Sequence, residues 1–218
     1  MKRMFCAILI VSSIVAASQD KLANVLIIGD SISIGYTPHV RQLLQGKANV
    51  IHNEGNAGPT SKGLEEIEKW LGDKKLDLIH FNWGLHDLCY RNPESNRLNK
   101  RDKKHGTITN SLEQYEKNLE ILVDRLKKTG AKLIWASTTV VPEGEPGRIA
   151  GDEVKYNKLA KKVIRKHGIP INDLYAMTKI FPEQLFNAPG NVHLTKKGYQ
   201  ILARQTALHI DYQLELQK

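Results

Sequence analysis

Cysteine is almost absent from this chain. Cys6 and Cys89 are the only two among 218 residues. Cys6 lies in an N-terminal apolar run in the wrong context for a lipoprotein cysteine. If that run is removed, Cys89 alone remains and no intrachain disulfide is possible. No His, Cys or Asp spacing suggests a zinc site. There is no Gly-x-Gly-x-x-Gly fingerprint and no Gly-Lys phosphate loop. The sequence therefore points to no metal and no cofactor. It has no internal repeat, no low-complexity tract and no second long hydrophobic span, which argues against a solenoid, a disordered linker protein and a multi-span membrane protein.

What is present begins with an N-terminal address. Lys2 and Arg3 precede an apolar run from Met4 to Ala17, too short to span a bilayer comfortably, and Ala16-Ala17-Ser18 offers small residues for cleavage. Residues 1–18 are read as a secretory signal and 19–218 as one domain, long enough for a full core. Export to a periplasm or beyond follows, without a stable membrane span. Loss of Lys2 and Arg3 would take the formal charge from +9 to +7. The surplus fits acidic partners or simple solubility. Nucleic acid is not an expected partner, because an exported protein would not meet it.

Five apolar runs alternate with amphipathic segments. The expected strands are Val25 to Ile28, Val50 to His52, Leu76 to Phe81, Lys132 to Thr138 and Ile169 to Ile171. Expected helix starts are Thr37-Pro38, Ser61, a capping box of Asn110 with Glu113, Asp152 and Thr195. Tyr90 to Gly106 reads as a long basic stretch without structure. The alternation predicts an α/β fold, three layers α/β/α around a five-stranded parallel sheet. In such sheets the loops after the strands gather at one edge. Ser31, Gly58, His86 and His193 all fall in such loops or in the last loop, so they should converge.

Ser31 follows the first strand across Gly29, where a turn can hold its hydroxyl out as a nucleophile. His193 sits just ahead of a capped helix and suits a base. The Gly58 backbone N–H lies in a turn-rich loop and suits an oxyanion donor. At these positions the chain resembles the SGNH (GDSL-type) hydrolases, esterases of flavodoxin-like fold. Gly29-Asp30-Ser31-Ile32 is similar to their first block, Gly58 to the oxyanion glycine of the second, Gly84-Leu85-His86-Asp87 to the third, and Asn191-Val192-His193 to the last. The resemblance spans about Asn24 to Leu208.

Two departures stand out. His86 replaces the asparagine that the family uses as an oxyanion donor, and a histidine N–H can also donate. The family's aspartate, usually three residues before the histidine, is replaced by Gly190, with Asn191 two before. An amide oxygen on Asn191 could orient His193 but could not stabilise an imidazolium by charge. A surrogate such as Asp173, or a Ser-His dyad, is the other route. Asp87 is expected to anchor its loop, and His52, His80 and His167 to be core or surface residues rather than metal ligands. The resemblance implies an exported serine esterase, with Ser31, His193 and Asn191 catalytic and Ser31, Gly58 and His86 forming the oxyanion hole. The substrate would be a small-molecule or carbohydrate ester, O-acetyl groups among them. A binding protein that has lost catalysis, a lipid esterase and a thioesterase are the alternatives. The basic stretch should lie beside the site, either as a solvated charged loop or as one that favours polyanionic substrates such as acidic polysaccharides.

Overall fold

The computed structural model describes residues 22–216. The signal segment, residues 1–18, lies outside the described residues. Five parallel strands form the sheet: β1 (Ala23–Ile28), β2 (Ala48–His52), β3 (Leu78–Phe81), β6 (Lys132–Ala136) and β7 (Ile171–Asn172), in the order β2-β1-β3-β6-β7. Val25 to Ile28 are all fully buried, as expected of a parallel strand covered on both faces. Helices α1 (Ser31–Leu43) and α6 (Lys196–Glu215) pack together, α2 (Thr60–Leu71), α3 (Leu112–Lys128) and α4 (Asp152–Lys166) form a second packed row, and the short α5 (Leu174–Thr178) follows β7. The strand order reverses between β1 and β3, with β2 added on one side of β1 and β3, β6 and β7 on the other. In an open α/β sheet that switch point is where a crevice forms.

Several local expectations change. Helix α1 begins at Ser31 rather than at Pro38, because Asp30 caps it by accepting from Ile32 N–H at 2.9 Å. Pro38 lies inside this helix. Helix α2 begins at Thr60, not after Ser61, and Pro59 at its N-cap makes no side-chain cap bond. Its first N–H is taken instead by Asp87 Oδ1 from the loop after β3, at 2.9 Å. Asn110 joins that buried network, donating to Asp87 Oδ1 at 2.8 Å, and Ser111 caps α3 in its place. Burial pushes the Asp87 carboxyl up to about 6, with hydrogen bonds from Thr60 and Asn110 opposing. Asp87 thus ties together the loops beneath the site, as expected. His80 is fully buried, pushed down to about 3 by desolvation, and meets Asn172 Nδ2.

Tyr90 to Gly106 is not structureless. β4 (Tyr90–Arg91) pairs antiparallel with β5 (Thr107–Ile108), Arg91 also bridges Arg101, and Leu98–Lys100 forms a 3₁₀ turn. Strands of two residues are too short for an alternating pattern to show. Among the described residues, no helix is long and apolar enough to cross a membrane.

Candidate active site

Two loops meet over the β1/β3 crevice, and the loop after β3 adds His86 to the same cleft. The first is the turn from β1 into α1. Gly29 follows β1, and a Cβ there would lie 2.6 Å from Ser33 Oγ. The need at Gly29 is therefore space rather than an unusual backbone angle. Ser31 is the first residue of α1, so its N–H is one of the helix's four unpaired donors. The second loop carries His193. Gly190, with φ +68°, turns the chain against the Gly144 backbone. Asn187 N–H then donates to His193 C=O and Thr195 N–H to Leu185 C=O, which fixes the loop before α6.

Between these loops runs one hydrogen-bonded line. Ser31 Oγ lies 2.9 Å from His193 Nε2, and His193 Nδ1 lies 2.8 Å from Asn191 Oδ1. The same Asn191 oxygen accepts from the His193 backbone N–H at 3.0 Å. That second bond matters, because a backbone N–H requires an acceptor and so holds the oxygen, not the amide nitrogen, toward the ring. Asn191 therefore favours the Nδ1–H tautomer and leaves Nε2 free to accept from Ser31. Gly190 carries no side chain toward His193. Asp173 is engaged elsewhere, accepting from Ser137 Oγ at 2.7 Å and Lys161 Nζ at 2.6 Å.

Desolvation lowers the His193 pKa below the ordinary 6.5. Arg148 and Arg101 add to this, and Asp30 and Glu145 oppose it. His86 is pushed further, down to about 4, by burial first and by Arg148, Arg91 and Lys62, against Asp30. It is neutral at ordinary pH. Arg91 Nη2, which can only donate, meets His86 Nδ1 at 3.2 Å. The proton on neutral His86 therefore sits on Nε2.

A cleft of about 150 Å³ joins these groups. Ser31, His193, His86, Asn56, Arg91 and Arg148 line it, and so do Leu98 and Asn99 of the basic segment. The segment thus lies beside the site as expected. Gly58 is placed differently: its N–H donates to Asn56 Oδ1 at 2.8 Å, and Asn56 rather than Gly58 lines the cleft. Arg148 and Glu145 come from the Pro/Gly-rich loop after β6. The sequence marked them only as part of a turn-rich stretch at the correct sheet edge. Among the described residues, no group of three or more His, Cys, Asp or Glu side chains is placed to hold a metal ion.

Residues 27–201 match the GDSL-like lipase/acylhydrolase family. The chain belongs to that family. It is a carboxylic ester hydrolase by this membership. Solved structures share the fold. A lipase/acylhydrolase from Enterococcus faecalis superposes with a TM-score of 0.70 at 20% identity, covering 88% of this chain and 97% of its own. The acetyl xylan esterase AlAXEase gives 0.67 at 18% identity, covering 84% and 97%. A catalytic mutant of an acetylxylan esterase from Geobacillus stearothermophilus gives 0.65 at 18%, covering 84% and 92%. No curated protein sequence matches the chain.

Proposed function

We propose that this GDSL-family chain is an exported serine esterase that removes short acyl groups, O-acetyl groups on carbohydrate among them. The observation that carries the reading is the line from Ser31 Oγ through His193 to Asn191 Oδ1. Ser31 Oγ gives its proton to His193 Nε2 and attacks the ester carbonyl carbon. His193 then passes that proton to the departing alkoxide, leaving an acyl group on Ser31. A water, deprotonated by His193, attacks the acyl carbon and releases the acid, and the proton returns to Ser31.

The carbonyl oxygen becomes an oxyanion at each attack. In this reading Ser31 N–H and His86 Nε2–H, on two residues that line the cleft, donate to it. Gly58 N–H joins them when the substrate oxygen displaces Asn56 Oδ1. The size of the cleft favours short acyl groups. At about 150 Å³ it is well under the ~300 Å³ where pockets for drug-sized ligands begin. Export rests on the basic and apolar residues 1–18, and acetylated carbohydrate on the fold shared with two acetyl xylan esterases.

Hydrolysis of p-nitrophenyl acetate, butyrate and octanoate, with acetate release from acetylated xylan, tests this. The expected result is a kcat/KM that falls from acetate to octanoate. A rise toward octanoate would overturn the short-acyl reading. Rates equal to the blank on every ester would mean a binding protein.

Asn191 has a further consequence. In serine proteases of the trypsin type, Asp→Asn at this position costs about 10⁴ in turnover because it leaves the wrong tautomer. Here the second bond to the His193 backbone keeps the tautomer correct, so only charge is missing. A charge-assisted hydrogen bond exceeds a neutral one by ~1–2 kcal/mol. Asn191→Asp should therefore raise kcat about tenfold, with KM little changed. It should also move the acid limb of the kcat/KM profile upward, from a position below 6.5 in the parent. Gly190→Asp should give no such gain. It forces a side chain onto a positive φ and within 3.0 Å of the Gly144 backbone.

A further inference from the structure

Three arginines line the cleft, and they are not equivalent. Arg91 is committed: Nη2 to His86 Nδ1, Nη1 to Asn99 C=O and Nε to Thr109 Oγ1. Arg101 and Arg148 are held as a pair. Both give Nη1 to the same oxygen, Glu145 Oε1, at 3.0 and 2.8 Å. The other Glu145 oxygen accepts from Gly147 N–H at 2.6 Å. Each arginine is pinned a second time through Nε, Arg101 to Leu98 C=O and Arg148 to Leu85 C=O. Neither Nη2 meets an acceptor among the described residues, and neither is among the polar atoms closed off from solvent.

Arg148 is only 5% exposed and Glu145 is fully buried. A guanidinium rarely sits so deep with two donors unmatched. Its charge is also felt at both His193 and His86, which places it close to the reacting groups. Glu145 offsets one of the two charges. The carboxylate that lines the cleft itself, Asp30, already caps α1 by accepting from Ile32 N–H. Arg91, Arg101 and Arg148 against Glu145 and Asp30 leave one positive charge. Rigid guanidinium groups suit a planar carboxylate, which can accept two parallel N–H bonds.

We infer that Arg101 and Arg148 form a carboxylate subsite beside Ser31, so that the preferred ester carries a carboxylate a short distance from the scissile bond. This rests on the esterase reading and narrows its substrate class to acidic esters, such as acylated uronic-acid units or half-esters of short dicarboxylic acids. Glu145 holds the two like-charged arginines together and sets their spacing. The basic segment contributes through Arg101, and its remaining lysines are not needed.

Paired substrates test the subsite. On the alcohol side, 4-acetoxybenzoate is compared with its methyl ester. On the acyl side, mono-4-nitrophenyl glutarate is compared with 4-nitrophenyl butyrate. The expected result is a kcat/KM ratio of anionic to neutral ester of ten or more in one pair, which tells the side, carried mainly in KM. The ratio should fall toward one in Arg148→Gln and in Arg101→Gln. The second variant leaves the buried Arg148–Glu145 pair intact, should the first not fold. Equal rates for both members of both pairs, or a preference that survives in both variants, would overturn the subsite. If the parent hydrolyses none of the four esters, the esterase reading fails. Calorimetric titration with benzoate against benzamide then decides the subsite alone: tighter benzoate binding, lost in Arg101→Gln, supports it, and equal binding overturns it.

Discussion

Ser31→Ala should lower kcat/KM for p-nitrophenyl acetate by ~10⁴-fold or more, because the nucleophile and its base act as a unit and losing either removes the covalent route. The fold should survive. Ser31 is the first residue of α1, half-buried, and its side chain makes one hydrogen bond, to His193. One such bond contributes ~1 kcal/mol, which for a domain of this size shifts Tm by about 2–4 °C. The check is kcat/KM and a thermal melt on the same preparation. Activity retained within tenfold, with a normal melt, would mean that another group is the nucleophile.

Removing His86 should have the next largest effect. In the proposed mechanism His86→Leu takes away an oxyanion donor that acts mainly as the transition state forms. The loss of one such donor costs ~10²–10³ in kcat with KM little changed. His86→Asn should return at least tenfold of that loss, since an amide N–H can occupy the same role and this is the residue the family pattern carries there. The polarity of the effect follows from Arg91, which forces the proton on neutral His86 onto Nε2. A His86→Leu enzyme with unchanged kcat would make His86 a packing residue. Between these outcomes the kcat of the asparagine variant decides whether donation or shape matters.

The sheet was legible because parallel strands buried on both faces read as unbroken apolar runs, as Val25 to Ile28 do. The positions of Ser31, His86 and His193 were legible because each follows a strand or precedes a capped helix. What was not legible depends on bonds between distant residues. Helix α2 has no cap of its own because Asp87 supplies one from 27 residues away. The hairpin of β4 and β5 is held by backbone bonds such as Thr109 N–H to Cys89 C=O, with no side-chain period to betray it. The choice between Gly190 and Asn191 turned on a two-residue side-chain bond and a positive φ, which spacing alone does not distinguish. Arg148 and Glu145 sit in a loop whose prolines and glycines read only as turn chemistry. Their burial and pairing appear only once the fold brings Arg101 over them.

The central claim is that His193 activates Ser31 and no other serine for attack. An organophosphonate probe reports this directly, because its phosphorus is attacked by an activated serine hydroxyl. The expected result is a single adduct, located by mass spectrometry on Ser31, formed at a rate that rises with pH through a midpoint below the ordinary histidine value of 6.5 and lost in His193→Ala. An adduct on another serine, no adduct at high probe concentration, or labelling of Ser31 that persists in His193→Ala would contradict it.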